Sequence, residues 1–331
     1  MSLRCEKYVV PFKNVQGKDY RTAVIKYTRP NTGPAKQTRI VMGLHAVSTH
    51  KEQWLPVFER LFASEDLNIK EAWSFDAANH AESLVLNKEW IEKDPVALSD
   101  LTTVGQALLS ILESGLIDYH NHELIAVGHS AGANAVVRAA MAYILDKKQL
   151  PFKTAILVEP VFLNYKESQI LLRYKPSAET RKWQWLSREE AEEYLRETHP
   201  WKKWHPEIRK LYVEYGMTHT WKGTELKTPP QFEAACYPNA EANDQGRRWF
   251  PTVCEHVQVH IVFGGRVDFV PQAHQDGLYE VAKKHNSLVT VQRVKGGGHM
   301  LVQERPDGLS EAITAVLRGT SSVPAIPQNK L

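Results

Sequence analysis

The residues with the clearest chemical potential lie in the segment Gly128-His129-Ser130-Ala131-Gly132, where a serine stands between two glycines at the spacing Gly-x-Ser-x-Gly. An apolar run over 125–127 precedes it, and a helical pattern over 133–145 follows at once. A tight turn from strand to helix holds a serine hydroxyl clear of the backbone, and the glycines remove side chains that would collide as the two elements close. We therefore predict that Ser130 is a nucleophile.

A serine nucleophile needs a base that takes its proton and an acid that orients the base. His299 follows three glycines, 296–298, in the loop after the last predicted strand, and these glycines would let the loop bend toward Ser130. The chain has 14 histidines, and position separates His299 from the rest. We predict that His299 is the base.

Two carboxylates are candidates for the acid. Asp268 lies on the loop that leaves the predicted strand 257–263, the usual placement, and is favoured on that ground alone. Glu159 ends the predicted strand 154–158, which follows the helix after Ser130, and its strand end would also lie within reach of His299. Both remain candidates from the sequence.

The developing negative charge of an acyl-transfer reaction requires two backbone N–H donors. The amide of Ala131 would lie at a helix N-terminus, where the helix dipole favours negative charge. The second donor is expected from the loop after the predicted strand 39–44, with Val47 as the first candidate and Ala46 as the next.

Strands alternate with helices before residue 160 and again after 256, which predicts a mostly parallel central sheet flanked by helices on both faces. We predict an α/β body formed by 1–160 and 256–318, a mainly helical cap inserted at 161–255, and a flexible C-terminal tail at 319–331. The insertion holds six of the nine tryptophans, namely Trp183, Trp185, Trp201, Trp204, Trp221 and Trp249.

These tryptophans either build the core of the cap or line an apolar tunnel over Ser130. Such a lid would exclude water and favour a hydrophobic acyl group. We expect the following side chains to contact the substrate: His45, His129, Trp183 and Trp185. His45 and His80 are also expected to organise the loops around the pocket.

Composition narrows the class of protein. The formal charge of the 331 residues is only +3, from 41 basic and 38 acidic residues, which argues against nucleic acid as a partner. The three cysteines predict no disulfide framework, and neither a metal site nor a cofactor is expected, since the histidines and cysteines lack ligand spacing. No apolar run approaches the length of a membrane span.

Taken together, the chain resembles the α/β-hydrolase fold, and more narrowly the fungal peroxisomal α/β-hydrolases, meaning the peroxisomal lipase group and its relatives in toxin and polyketide pathways. Three stretches carry the resemblance: 79–83 with Asn87, the cap stretch 185–191 continuing to 216, and Leu157-Val158-Glu159-Pro160. The resemblance implies an α/β-hydrolase with a helical lid and lipase, esterase or thioesterase activity. It also supports Glu159, because some members of the group take their acid from this strand.

The last three residues, Asn329-Lys330-Leu331, are similar to the Ser-Lys-Leu address that the peroxisomal import receptor reads. Asparagine makes this a weaker variant, and a chance ending is the alternative. The tripeptide and the family resemblance together favour a peroxisomal location. If the tripeptide is a chance ending, a cytoplasmic location is expected.

The combined hypothesis is a serine hydrolase that cleaves an ester or thioester of an apolar carboxylic acid through an acyl-enzyme on Ser130. One alternative uses the same fold for carbon–carbon bond cleavage or for a lyase or cyclase step in secondary metabolism. Another is a non-catalytic ligand-binding member, against which the complete set of serine, carboxylate and histidine speaks.

Overall fold

The computed structural model describes residues 3–30, 38–91, 100–285 and 289–320. The strands in these ranges are β1 Arg4–Lys13, β2 Asp19–Thr28, β3 Arg39–Leu44, β4 Ile69–Phe75, β5 Glu123–His129, β6 Thr154–Val158, β7 Gln184–Trp185, β8 Met217–Thr220, β9 Gly223–Leu226, β10 Gln258–Gly264 and β11 Thr290–Val294. The helices are α1 Leu55–Ala63, α2 Ala81–Leu86, α3 Lys88–Ile91, α4 Leu101–Glu113, α5 Ala131–Leu145, α6 Lys175–Glu179, α7 Arg188–Glu197, α8 Pro206–Gly216, α9 Pro230–Ala234, α10 Ala240–His256, α11 Gln272–His285, α12 Leu301–Glu304 and α13 Pro306–Leu317. Nearly all of the predicted tail, from 321 onward, lies outside the described residues.

The large sheet has the strand order β1-β2-β4-β3-β5-β6-β10-β11. From β4 to β11 the strands pair in parallel, and β1 and β2 add an antiparallel edge. The carboxyl ends of parallel strands meet at one edge, where α/β proteins place their sites. The loops after β3, β5, β6, β10 and β11 therefore converge, and they carry Val47, Ser130, Glu159, Asp268 and His299.

Apolar clusters cover both faces of this sheet, as the alternation predicted. On one face, buried side chains of α4, α5, α10 and α11 pack against the strands. On the other face, α1 and α13 do the same, with Phe58 and Ile313 among the fully buried residues. Within the described ranges, no helix combines the length and the hydropathy needed to cross a bilayer.

Helix α10, the last helix of the predicted cap, packs against the body. Its Phe250 and Val253 are buried in the same apolar cluster as α5. Arg138 of α5 donates hydrogen bonds to the carbonyl of Ala242 and to Gln245. Residues 240–256 therefore pack on the body, while the boundary at 255, which follows from the break in the strand–helix alternation, stays a prediction.

The cap has a small core of its own, formed by Trp185, Leu195, Trp201, Trp204, Ile208 and Tyr212 among others. It is mainly helical, and it also contains an antiparallel sheet of order β7-β9-β8 that the sequence analysis did not predict. Gly223 enables the turn between β8 and β9, since its φ of 129° lies in a region that favours glycine.

Candidate active site

Ser130 lies at the sharp turn between β5 and α5, with φ 53° and ψ −110°. A Cβ atom built on Gly128 would lie 2.5 Å from the carbonyl oxygen of Gly132, and one built on Gly132 would lie 2.4 Å from that of Leu44. Both distances are too short for carbon and oxygen. The close approach expected of the two glycines is therefore present, and the hydroxyl of Ser130 projects from a strained turn.

The turn gives a stability prediction with a matched control. Gly132→Ala is expected to lower the free energy of unfolding by about 1–3 kcal/mol, because the backbone at the end of β3 must move away. Gly277→Ala in α11 meets no atom within 4 Å and is expected to raise it by about 0.5–1 kcal/mol. Urea denaturation of both variants measures this, and equal effects would contradict the steric reason.

His299 reaches the serine as the sequence analysis predicted. Its Nε2 lies 3.1 Å from Oγ of Ser130, and both side chains are buried. With the proton on Nδ1, Nε2 accepts a hydrogen bond from the serine hydroxyl, which is the arrangement for proton transfer to the imidazole. The loop after β11 provides this contact across 169 residues of sequence.

The carboxylate of Glu159 lies at the other ring nitrogen. Its Oε2 is 3.2 Å from Nδ1 of His299, and its Oε1 accepts a hydrogen bond of 2.6 Å from the N–H of Gly264. Glu159 is buried and has a φ of 48°, a conformation that is strained for a residue other than glycine. β6 pairs with β5, so Glu159 follows the strand next to the one that carries Ser130.

Asp268 contacts the same histidine at its backbone rather than at its ring. Its Oδ1 accepts a hydrogen bond of 2.8 Å from the N–H of His299, and Oδ2 accepts from Arg266. These contacts favour Glu159 as the acid over Asp268, which the sequence analysis preferred. The loop after β10 brings Asp268 to the main chain of His299 and leaves its side chain about one-third exposed.

Two further groups hold His299 in place. Nε2–H of His129 donates a 2.7 Å hydrogen bond to the carbonyl of His299, and the ring of Phe269 stacks on the imidazole with 4.0 Å between centroids. Burial and the nearby His299 lower the pKa of His129 to about 3, so its ring is neutral. His129 lies beneath the base and not on the cavity wall, which corrects the expectation that it contacts substrate.

The loop of Val47 is held by two buried histidines. Nε2 of His45 accepts a 2.9 Å hydrogen bond from the N–H of Ala77, and Nε2 of His80 accepts one of 3.1 Å from the N–H of Ser48. His45 therefore organises this loop and is absent from the cavity wall, contrary to its expected contact with substrate. Val47 and Ala131 both line the cavity beside Ser130.

A cavity of about 450 Å³ lies over Ser130, between the sheet edge and the cap. Its apolar and aromatic wall consists of Leu101, Val161, Leu171, Tyr174, Trp201, Trp204, Tyr237, Phe269 and Met300. Trp183 and Trp185 were expected on this wall but pack in the core of the cap, where Trp185 contacts Tyr194. Nothing in the sequence distinguished these two from Trp201 and Trp204.

The family model of the alpha/beta hydrolase family matches residues 41–312. The chain belongs to the alpha/beta hydrolase family. This agrees with the sequence-based resemblance and with the predicted fold class. No curated protein sequence matches the chain.

Three solved structures similar to this alpha/beta hydrolase are a peroxisomal hydrolase, a thioesterase domain and an esterase. The peroxisomal alpha-beta-hydrolase Lpx1 of Saccharomyces cerevisiae has a TM-score of 0.73 and 19% identity, covering 99% of this chain and 93% of its own. A thioesterase domain from the curacin biosynthetic pathway has a TM-score of 0.64 and 16% identity, covering 95% of this chain and 100% of its own. A thermophilic esterase from Thermogutta terrifontis has a TM-score of 0.60 and 12% identity, covering 96% of this chain and 100% of its own. At these identities the similarity establishes the fold.

In the described part of this alpha/beta hydrolase, no group of three or more His, Cys, Asp or Glu residues is arranged to hold a metal ion. The side chains of Ser130, Glu159, Asp268 and His129 all contact His299. The chemistry that such a set supports is proton transfer to and from the hydroxyl of Ser130.

Buried neutral histidines give this alpha/beta hydrolase an expected pH dependence of stability. Burial lowers the pKa of His260 to about 4, and burial together with His299 lowers that of His129 to about 3, from 6.5. Between pH 6.5 and these lowered pKa values, the folded state therefore binds fewer protons than the unfolded state. The free energy of unfolding should therefore fall as the pH decreases from about 6.5, by about 1.4 kcal/mol per pH unit for each such group.

Denaturant unfolding between pH 7.5 and 5 measures this slope. His260→Asn is the variant of choice, since His260 lies outside the site and its ring hydrogen-bonds to the hydroxyl of Thr290. The variant should reduce the change of the free energy of unfolding with pH by about 1.4 kcal/mol per pH unit, the contribution of about one proton. A wild-type midpoint that is independent of pH in this window would contradict the prediction.

Proposed function

We propose that the chain is a serine hydrolase that cleaves an ester or thioester of an apolar carboxylic acid through an acyl-enzyme on Ser130. The observation that carries the proposal is the continuous contact from Oγ of Ser130 to Nε2 of His299, 3.1 Å, and from Nδ1 of His299 to Glu159, 3.2 Å. A hydroxyl, an imidazole and a buried carboxylate in this order are the parts that nucleophilic serine chemistry requires.

In the proposed reaction, Oγ of Ser130 attacks the substrate carbonyl while Nε2 of His299 takes the hydroxyl proton. The tetrahedral intermediate collapses, and the imidazolium gives that proton to the departing alcohol or thiol. A water molecule then attacks the acyl-enzyme with His299 again as the base, and Ser130 recovers its proton as the acid leaves. Glu159 orients the imidazole and stabilises its positive charge during both steps.

The tetrahedral oxyanion is assigned to the N–H groups of Val47 and Ala131. Ala131 is the first residue of α5, so its amide points out of the helix N-terminus, where the dipole favours negative charge. Val47 lies on the loop that His45 and His80 hold, and rigid donors lower the cost of reorganisation during the reaction. Both residues line the cavity next to Ser130.

The apolar acyl group is supported by the cavity wall. Trp201, Trp204, Phe269 and Met300 surround a volume within the range that binds small ligands. An aromatic wall of this kind excludes water and stabilises a hydrophobic chain by burial, at about 0.8 kcal/mol for each CH₂ group. The similar structures include a thioesterase domain and an esterase, which is consistent with a thiol or an alcohol as the leaving group.

Labelling with a fluorophosphonate probe tests the nucleophile, since the probe phosphonylates an activated serine. Mass spectrometry of the digested protein should place the label on Ser130, and Ser130→Ala should carry none. Esters of p-nitrophenol with increasing acyl length should release the free acid, identified by chromatography. Absence of label together with absence of acid release would leave the fold without the proposed activity.

We also propose that the protein is imported into peroxisomes through Asn329-Lys330-Leu331, a tripeptide outside the described residues. The support is its similarity to the peroxisomal address and the peroxisomal name of one similar structure. A fluorescent protein fused before the full-length chain should colocalise with a peroxisomal marker, and deletion of the tripeptide should abolish this. Colocalisation that persists after deletion would contradict the assignment.

A further inference from the structure

The cavity over Ser130 carries basic side chains on its cap side. Arg181, His199 and Lys203 all line it, the latter two from the connection between α7 and α8. Arg181 forms an ion pair with Glu233, and both side chains are largely buried, so this pair is neutral as a unit. The charge of Arg181 is therefore already balanced within the cap.

The acidic residues of the wall are balanced as well. Oδ2 of Asp268 and Oε2 of Glu304 both accept hydrogen bonds from Arg266. Backbone amides complete their coordination, with the N–H of His299 on Asp268 and that of Gly298 on Glu304. Each carboxylate therefore already has a guanidinium and a backbone N–H as partners.

Lys203 and His199 differ from these residues. In the described ranges, neither side chain has an ion pair or hydrogen bond with a carboxylate. Both side chains are exposed, and partial desolvation together with the charges of Lys202 and Lys203 lowers the pKa of His199. The exposed rim of the cavity thus presents one ammonium and one imidazole donor. Trp201 and Trp204 line the same cavity and are buried, as Ser130 is.

We propose that Lys203 and His199 bind an anionic group of the substrate that is separated from the reacting carbonyl by an apolar segment. This inference rests on the proposed function and narrows its substrate to charged esters or thioesters. The shared chemistry is a carboxylate or phosphate oxygen, which Lys203 attracts as a point charge and His199 meets as an N–H donor. The anion belongs either to the far end of the acyl chain or to the leaving group.

The chain contains a matched control for this assignment. Lys202 and Lys203 are adjacent in sequence, equally charged and both exposed, but only Lys203 lines the cavity. A general effect of positive surface charge on anionic substrates would be reduced equally by Lys202→Gln and Lys203→Gln. If Lys203 binds the anion specifically, Lys203→Gln alone should reduce the preference for anionic substrates.

Two substrate pairs distinguish the sources of the anion. The first compares the p-nitrophenyl monoester of glutaric acid with p-nitrophenyl pentanoate, and the second compares octanoyl-coenzyme A with octanoyl-N-acetylcysteamine. For each pair, the kcat/KM of the charged substrate is divided by that of the neutral one. In one of the two pairs, Lys203→Gln should lower this ratio about three- to tenfold relative to the wild type, because the KM of the charged substrate rises. The ratio should also fall with added salt, and Lys203→Arg should restore it.

The pair that responds identifies where the anion lies. An unchanged ratio in both pairs, or an equal fall in Lys202→Gln, would overturn the proposal. Calorimetric binding of glutarate and of coenzyme A to Ser130→Ala, with and without Lys203→Gln, separates this proposal from the catalytic one. Binding that depends on Lys203 in a protein without hydrolytic activity would retain the anion site and reject the serine hydrolase.

Discussion

Replacement of Ser130 by alanine is expected to lower kcat for ester hydrolysis by about four to six orders of magnitude. The hydroxyl oxygen is the only proposed nucleophile at 3.1 Å from Nε2 of His299, and alanine removes it while the turn and the cavity remain. Alanine should tolerate the turn as well as serine does, since both have a Cβ atom. Steady-state kinetics with an ester of p-nitrophenol, corrected for the uncatalysed rate, measures the loss.

Ser177→Ala is the control for this variant, because Ser177 lines the same cavity and is exposed. Its kcat should change by less than about threefold, as is usual for surface substitutions. Thermal unfolding of both variants separates loss of activity from loss of fold. A folded Ser130→Ala protein with near-wild-type kcat would exclude Ser130 as the nucleophile.

The second large effect is expected at the acid. Glu159→Gln should lower kcat by about three to four orders of magnitude. Glutamine keeps an oxygen that accepts the hydrogen bond from Gly264, but its amide N–H₂ toward Nδ1 favours the tautomer of His299 with the proton on Nε2. That tautomer cannot accept the proton of Ser130, so the variant should fold and lose turnover.

Asp268→Asn tests the competing carboxylate under the same conditions. Asparagine retains an oxygen for the N–H of His299 and removes the charge beside Arg266, whose guanidinium also bonds to Glu304. We expect a decrease in kcat of at most about tenfold, from looser positioning of the base. If Asp268→Asn collapses the rate and Glu159→Gln does not, the roles assigned to these two residues are reversed.

Of the three residues in contact, Ser130, His299 and Glu159, the first two could be predicted because their sequence signals are local. The fold class could be predicted for the same reason. A serine between glycines, with a strand before it and a helix after it, determines a tight turn through sterics alone. The three glycines before His299 similarly indicate a loop that bends. Alternating strands and helices determine a parallel sheet, and this topology in turn requires the loops of Ser130 and His299 to meet at one edge.

The sequence by itself therefore determined the turn that presents Ser130, the loop that delivers His299 and the sheet that unites them. Only the tertiary structure decided that Glu159 contacts the imidazole ring while Asp268 contacts its backbone, because both lie at ends of neighbouring strands, β6 and β10. It also packed α10 against α5 and put Trp201 rather than Trp185 on the cavity wall. Such choices depend on distances between segments remote in sequence, which no local pattern encodes.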